Sequence, residues 1–177
     1  MLIAVIDLGT NTFHLLIAEV KNYGKWEKVF KESITVKLGQ GGIDRNIIAP
    51  APYKRGIKAI EKFHNEIKRH RIKKVVAIGT AALRNAVNGA AFRQEVKKKT
   101  GIDITFISGN EEATLIYYGV KQAIHNWDGV KMVMDIGGGS VEFIIANSKK
   151  TLWKKSYKLG AALLLDKFNP GDPLKNY

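Results

Sequence analysis

At 177 residues and 45% hydrophobic composition, the chain can bury a real core, enough for one domain or one and a fraction. It has no cysteine, which excludes a disulfide framework, a thiolate metal site and a cysteine nucleophile, and fits a reducing, cytoplasmic setting. The net charge of +13, from 29 Lys+Arg against 16 Asp+Glu, favours a polyanionic partner: nucleic acid, anionic lipid or a phosphate-rich substrate.

The apolar start resembles a targeting segment only superficially. No basic region precedes it, and Asp7, His14 and Glu19 interrupt it, so residues 2–8 and 13–20 read as core strands joined in an antiparallel hairpin. A third strand over 26–37 ends at the turn Leu38-Gly39-Gln40-Gly41-Gly42. Pro50-Ala51-Pro52 opens a helix to about Arg69, with Ile57, Ile60, Phe63 and Ile67 at helical spacing. The basic runs Arg69–Lys74 and Lys97–Lys99 read most simply as solvated faces. Val75–Ile78 is a buried strand running into Gly79-Thr80, followed by a helical stretch and a strand at Ile102–Ile107. Ser108-Gly109-Asn110-Glu111 has capping-box spacing and opens a helix that buries Ala113, Ile116, Val120 and Ile124. Asn126-Trp127-Asp128-Gly129 is the candidate boundary. Beyond it come two strands, a third near 151–158, and a helix from about Ala161 that the breakers Asn169-Pro170-Gly171-Asp172-Pro173 end.

The elements after the boundary repeat those at the start. Val5-Ile6-Asp7-Leu8-Gly9-Thr10-Asn11-Thr12 returns at an offset of 128 residues as Val133-Met134-Asp135-Ile136-Gly137-Gly138-Gly139-Ser140. The expected fold is α/β with a mixed sheet: a first domain over 1–128 and the opening of a second, similar one over 129–177. If the copies are alike, roughly 80 further residues complete the second, and the chain is expected to be a segment of a longer polypeptide.

Each repeated turn sets backbone amides and hydroxyls in a tight arc beside an aspartate. Such an arc suits a phosphate, and Asp7 and Asp135 suit a divalent cation bridging phosphate oxygens. One such turn is an ordinary hairpin; two in register point to a site. Glu111 serves as the capping partner of Ser108. Glu112 is either a favourable charge at a helix start or a general base acting on water. Arg84 follows the carboxyl end of a buried strand, where ligands of open α/β sheets collect. It is a phosphate clamp or a surface arginine, and Asn88 shares its face or caps a helix. Glu142 on an apolar strand needs a partner, a cation or a basic side chain. His14, its counterpart in the first copy, reads as a hydrogen-bonded histidine. No zinc cluster and no nucleophilic triad stand out.

These residues together resemble the exopolyphosphatase/guanosine pentaphosphate phosphohydrolase (Ppx/GppA) family. Asp7–His14 resembles its first phosphate loop, Gly79–Arg84 with Asn88 its Thr…Arg…Asn segment, Ser108–Ala113 its catalytic-glutamate segment, and Asp135–Glu142 its second phosphate loop. Thr10 and Thr12 stand where Ser is usual, which keeps the hydroxyls, and Val141 where Thr is usual, which loses one. The resemblance implies two ribonuclease H-like domains of the acetate kinase/Hsp70/actin superfamily. It implies Glu112, Glu142 and Arg84 as catalytic residues. It assigns phosphate binding to Gly9, Thr10, Asn11, Thr12, Asn88, Gly137, Gly138, Gly139 and Ser140, and Mg²⁺ to Asp135 with Glu142 and Asp7. The implied reaction releases orthophosphate from inorganic polyphosphate or guanosine pentaphosphate. The implied setting is cytoplasmic, without membrane or nucleic-acid partners, with a homodimer as the family's frequent state. Two other readings stand beside it: an ATP-using kinase or ATPase of the same superfamily, and a non-catalytic phosphate-ligand or polyanion-binding module.

Overall fold

Alternation along the first two strands decides which way the opening hairpin faces. Ala4, Ile6 and Leu8 on β1 (Leu2–Leu8) lie opposite Ile17, Leu15 and Phe13 on β2 (Thr12–Val20), and all six are fully buried. The intervening pair Asp7 and His14 therefore points to the other face. The computed structural model describes residues 1–22 and 25–168, so the breakers at 169–173 lie outside the described residues.

The remaining elements follow in chain order: β3 (Trp26–Thr35), α1 (Pro50–Arg69), β4 (Lys74–Gly79), α2 (Ala81–Asn85), α3 (Gly89–Thr100), β5 (Ile104–Phe106), α4 (Gly109–Ala123), β6 (Lys131–Ile136), β7 (Val141–Ala146), β8 (Thr151–Tyr157) and α5 (Ala161–Phe168). The first sheet has the order β3-β2-β1-β4-β5, antiparallel through the opening meander and parallel from β1 to β4 to β5. This is the expected mixed sheet. Helices α1 and α3 cover its buried face, with Ile57, Ile60, Phe63 and Ile67 all in the core. They pack closely because Gly56 has no side chain: a Cβ there would lie 2.9 Å from the Phe92 ring.

β3 is shorter than the sequence suggests because Val36 and Lys37 leave the ladder, and both amides donate to the Asn11 carbonyl (2.9 and 2.8 Å). The helical stretch after β4 breaks in two. Val87 N donates to Asn46 O at 2.8 Å, which draws the segment before α1 against the break.

The second sheet, β6-β7-β8, repeats the opening meander with antiparallel pairing throughout. Asp135 and Glu142 take the cross-strand places of Asp7 and His14. Helix α4 follows β5 in the chain but forms its core with the second sheet: Ala113 and Tyr117 pack with Trp127, Ile144 and Ala146. By packing, this helix belongs to the second sheet, and its first turn lies beside the face that carries Glu142. Replacing Ile144, which is fully buried in this small cluster, with Ala is expected to cost about 2–5 kcal/mol. Denaturant unfolding followed by tryptophan fluorescence checks this, since Trp127 shares the cluster.

Candidate active site

The two repeated turns close in the same way. Gly9 N donates to Thr12 O at 3.2 Å, and Gly137 N to Ser140 O at 3.0 Å. The loops then touch directly through Thr10, which is buried. A Cβ on Gly138 would lie 2.9 Å from Thr10 Cβ, and one on Gly139 would lie 2.8 Å from Thr10 Oγ1. The glycines thus make room for the other loop's threonine.

Glu112 reaches the site because α4 begins where it does. Ser108 Oγ accepts from Glu111 N (3.2 Å) and Glu111 Oε2 accepts from Ser108 N (2.7 Å), so the expected capping box is present. That contact holds the Glu111 carboxyl below its ordinary range and leaves Glu112 free to face inward. Arg84, at the end of α2, donates through Nη1 to Ile107 O (2.7 Å) and to Glu112 Oε2 (3.2 Å). Both side chains are largely buried, at 22% and 17% exposed. Burial, then the neighbouring Glu142 charge, push Glu112 up to about 7, against the downward pull of Arg84. A carboxyl in this range accepts a proton readily near neutral pH.

The aspartates differ in their company. Asp7 faces His14, and His14 Nδ1 is 2.7 Å from Ser33 Oγ, so the histidine is hydrogen-bonded as expected. Asp7 is raised, chiefly by the protein crowding around it; His14 opposes the rise and Asp135 adds to it. The residue nevertheless keeps accessible surface. Asp135 instead faces Glu142, a second acid in the place of the histidine. Like charges opposed across two strands are unfavourable, and a divalent cation relieves them. Among the described residues no three acids or histidines are gathered closely enough to hold a metal by themselves. Mg²⁺ ordinarily takes one or two carboxylates and completes its shell with water and phosphate oxygens, so Asp135 with Glu142, and Asp7 nearby, fit it.

Glu142 is 1% exposed. Among the described residues its hydrogen-bond partner is not a basic side chain, one of the two partners expected, but the Ser156 hydroxyl, which donates to Oε1 at 2.6 Å. Ser156 escapes a motif search, although it stands directly opposite Glu142 in the β7–β8 register. Asn88 is placed differently from expectation. Its amide accepts from Ile48 N and donates to Ile48 O, both at 2.9 Å, and makes no cap bond to α3. The side chain fixes the segment before α1, and its Nδ2 retains a second N–H beyond the bond to Ile48 O.

Two grooves flank the loop contact. One, of about 330 Å³, is lined by Arg84, Ser108, Gly109, Ser140, Ser156 and Lys158. The other, of about 480 Å³, is lined by Thr10, Asn11, Lys37, Gln40, Leu165 and Asp166. Gly9, Thr12 and Gly137 complete the turns between them. The arrangement gathers a carboxyl raised to about 7, a guanidinium, paired acids and two arcs of amides near the loop contact, a set suited to hydrolysing a phosphate ester or anhydride.

Comparison with known proteins agrees with this chemistry. A guanosine-5'-triphosphate,3'-diphosphate pyrophosphatase of Vibrio atlanticus is 32% identical over 166 residues, 94% of this chain and 33% of that protein. The crystal structure of an exopolyphosphatase from Cytophaga hutchinsonii superposes with a TM-score of 0.95 at 40% identity, over 99% of this chain and 56% of that one. An Aquifex aeolicus member of the Ppx/GppA family gives 0.78 at 26% identity, over 99% and 56%. The chain therefore spans between 33% and 56% of the length of these relatives. A sequence profile described as the Ppx/GppA phosphatase family matches residues 16–177, and the chain belongs to that family.

Proposed function

We propose that the chain carries the chemistry of a phosphoanhydride hydrolase that releases orthophosphate from the end of inorganic polyphosphate or of guanosine pentaphosphate. The observation that carries this reading is Glu112, held near neutrality at the first turn of α4 beside Arg84 and Glu142. Glu112 takes a proton from a water aimed at the terminal phosphorus. Arg84, already pointed into the cleft, balances charge on the transferred group. The amides of the two glycine-containing turns hold the phosphate oxygens. Asp135 and Glu142, with Asp7 nearby, would hold Mg²⁺; when bound, this ion supplies charge neutralisation at the phosphate oxygens. The names of the Vibrio and Cytophaga relatives support both substrates equally. The net charge of +13 suits capture of a polyanion. Among the described residues no helix is long and apolar enough to cross a membrane, and a cysteine-free chain fits the cytoplasm.

Glu112→Gln in the full-length protein is expected to lower kcat for phosphate release from polyphosphate by about 10²–10⁴-fold. Glu111→Gln, which weakens only the cap, keeps kcat and lowers the melting temperature slightly. Steady-state assays on the two variants separate the roles of the neighbouring acids, and a near-normal kcat for Glu112→Gln removes it as the base.

The raised Glu112 carboxyl also predicts a pH signature. Its folded value, about 7, lies above its ordinary value of 4.5. The contribution of the neutral acid is therefore complete below pH 4.5 and is lost as pH rises through 7. Glutamine has nothing to lose. The melting temperature of Glu112→Gln, measured in chelator, should climb relative to the parent between these two pH values and level off above the upper one. A difference independent of pH would contradict the placement of Glu112.

A further inference from the structure

We propose that Ser156 is a positioning residue for the same reaction: its hydroxyl fixes the orientation of the Glu142 carboxylate beside Asp135 and Glu112. The inference rests on the function proposed above and adds a residue that lies outside the four motifs of the sequence.

Three observations carry it. First, the bond is short and its acceptor is charged: Ser156 Oγ lies 2.6 Å from Glu142 Oε1, within the range of an O–H donating to a carboxylate. Second, the carboxylate it holds is buried: Glu142 is 1% exposed, and among the described residues its hydrogen bond is to Ser156. A buried carboxylate anchored by a hydroxyl keeps one orientation, whereas an unanchored one is free to rotate.

Third, Ser156 is itself confined. A Cβ on Gly109 would lie 2.4 Å from Ser156 Cβ and 2.5 Å from its Oγ. The serine is therefore wedged between Glu142 on β7 and the first turn of α4, the turn that carries Glu112. It also lines the 330 Å³ groove together with Arg84 and Ser140. One hydroxyl thus couples the orientation of Glu142 to the placement of the helix that delivers Glu112. The first copy uses the same device at the same register, where Ser33 meets His14 at 2.7 Å. A hydroxyl serves both because it donates to a carboxylate and either donates to or accepts from an imidazole.

A serine that merely satisfied a buried acid would affect stability alone, so the test separates catalysis from folding. The full-length protein is assayed with polyphosphate and Mg²⁺ as wild type, Ser156→Ala, Ser156→Cys, Glu142→Gln and the Ser156→Ala/Glu142→Gln double variant, with a melting temperature for each. Ser156→Ala is expected to lower kcat about 10- to 100-fold, as loss of an outer partner does at such sites, with KM within about twofold of wild type. Ser156→Cys, whose thiol is a weak donor, should fall close to it. In the Glu142→Gln background the serine substitution should cost nothing more in kcat, because the group it orients is gone. Gly109→Ala, whose methyl must displace the serine while leaving its hydroxyl in the protein, should reproduce the kcat loss. Lower melting temperature with unchanged kcat in Ser156→Ala, an undiminished effect in the Glu142→Gln background, or normal kcat in folded Gly109→Ala would each overturn the role of Ser156. If Glu142→Gln and Glu112→Gln themselves leave kcat intact, the function proposed above fails first, and the two failures are told apart by those single variants.

Discussion

Acids held side by side in a cleft that excludes much of the water form the constraint around which this molecule is arranged. Glu112 and Glu142 repel each other, and both are largely removed from solvent. Left alone they would separate or the cleft would fill with water. Three devices hold them together. Arg84 binds one, the Ser156 hydroxyl binds the other, and the packing of α4 against β7 and β8 fixes the distance between the elements that carry them. The residual strain emerges as a carboxyl raised to about 7. The same burial that makes the site costly thus prepares it for proton transfer at neutral pH.

Helix α4 is the element that converts fold into site. Its N-terminus is tied through Glu112 to Arg84 at the end of α2, which also bonds Ile107 O, and to its own cap, through Ser108 and Glu111. Its body is buried against the second sheet through Ala113 and Tyr117. Tyr117 adds a bond from its hydroxyl to Asn147 O at 3.1 Å, at the far end of β7. A helix packed on the second sheet and bonded to α2 at its start joins the two halves of the fold at the carboxyl of its first turn.

What was legible in the sequence was whatever is written locally. The alternating runs gave β1 and β2, the proline pair and the spacing of Ile57, Ile60, Phe63 and Ile67 gave α1, and Ser108 with Glu111 gave the start of α4 to the residue. The repeat gave the second meander, because the same pattern folds the same way twice. What stayed hidden depends on contacts between segments distant in the chain. Nothing near Asn88 in the chain shows that its amide brackets Ile48, forty positions earlier. Ser156 reads as an ordinary strand serine until β8 is registered against β7. The break between α2 and α3 depends likewise on a bond from Val87 to Asn46. Side chains that complete one another across the fold carry no short-range signature.

The repeat also shows how one scaffold acquires two characters. In the first copy Asp7 is balanced by a histidine, and in the second Asp135 meets another acid, with a serine opposite in both. The strand pairing is the same; a histidine in one copy stands where the other has an acid. A further consequence lies in the contact between Thr10 and the glycines at 138 and 139. The gap between the loops is a hydrogen atom wide, since any side chain on those glycines would strike the threonine. The two loops are therefore shaped to each other as a key and its ward. A chimaera that took one loop from this protein and the other from elsewhere would inherit the wrong spacing, whatever the quality of each loop alone, so the pair is the smallest unit that can be moved.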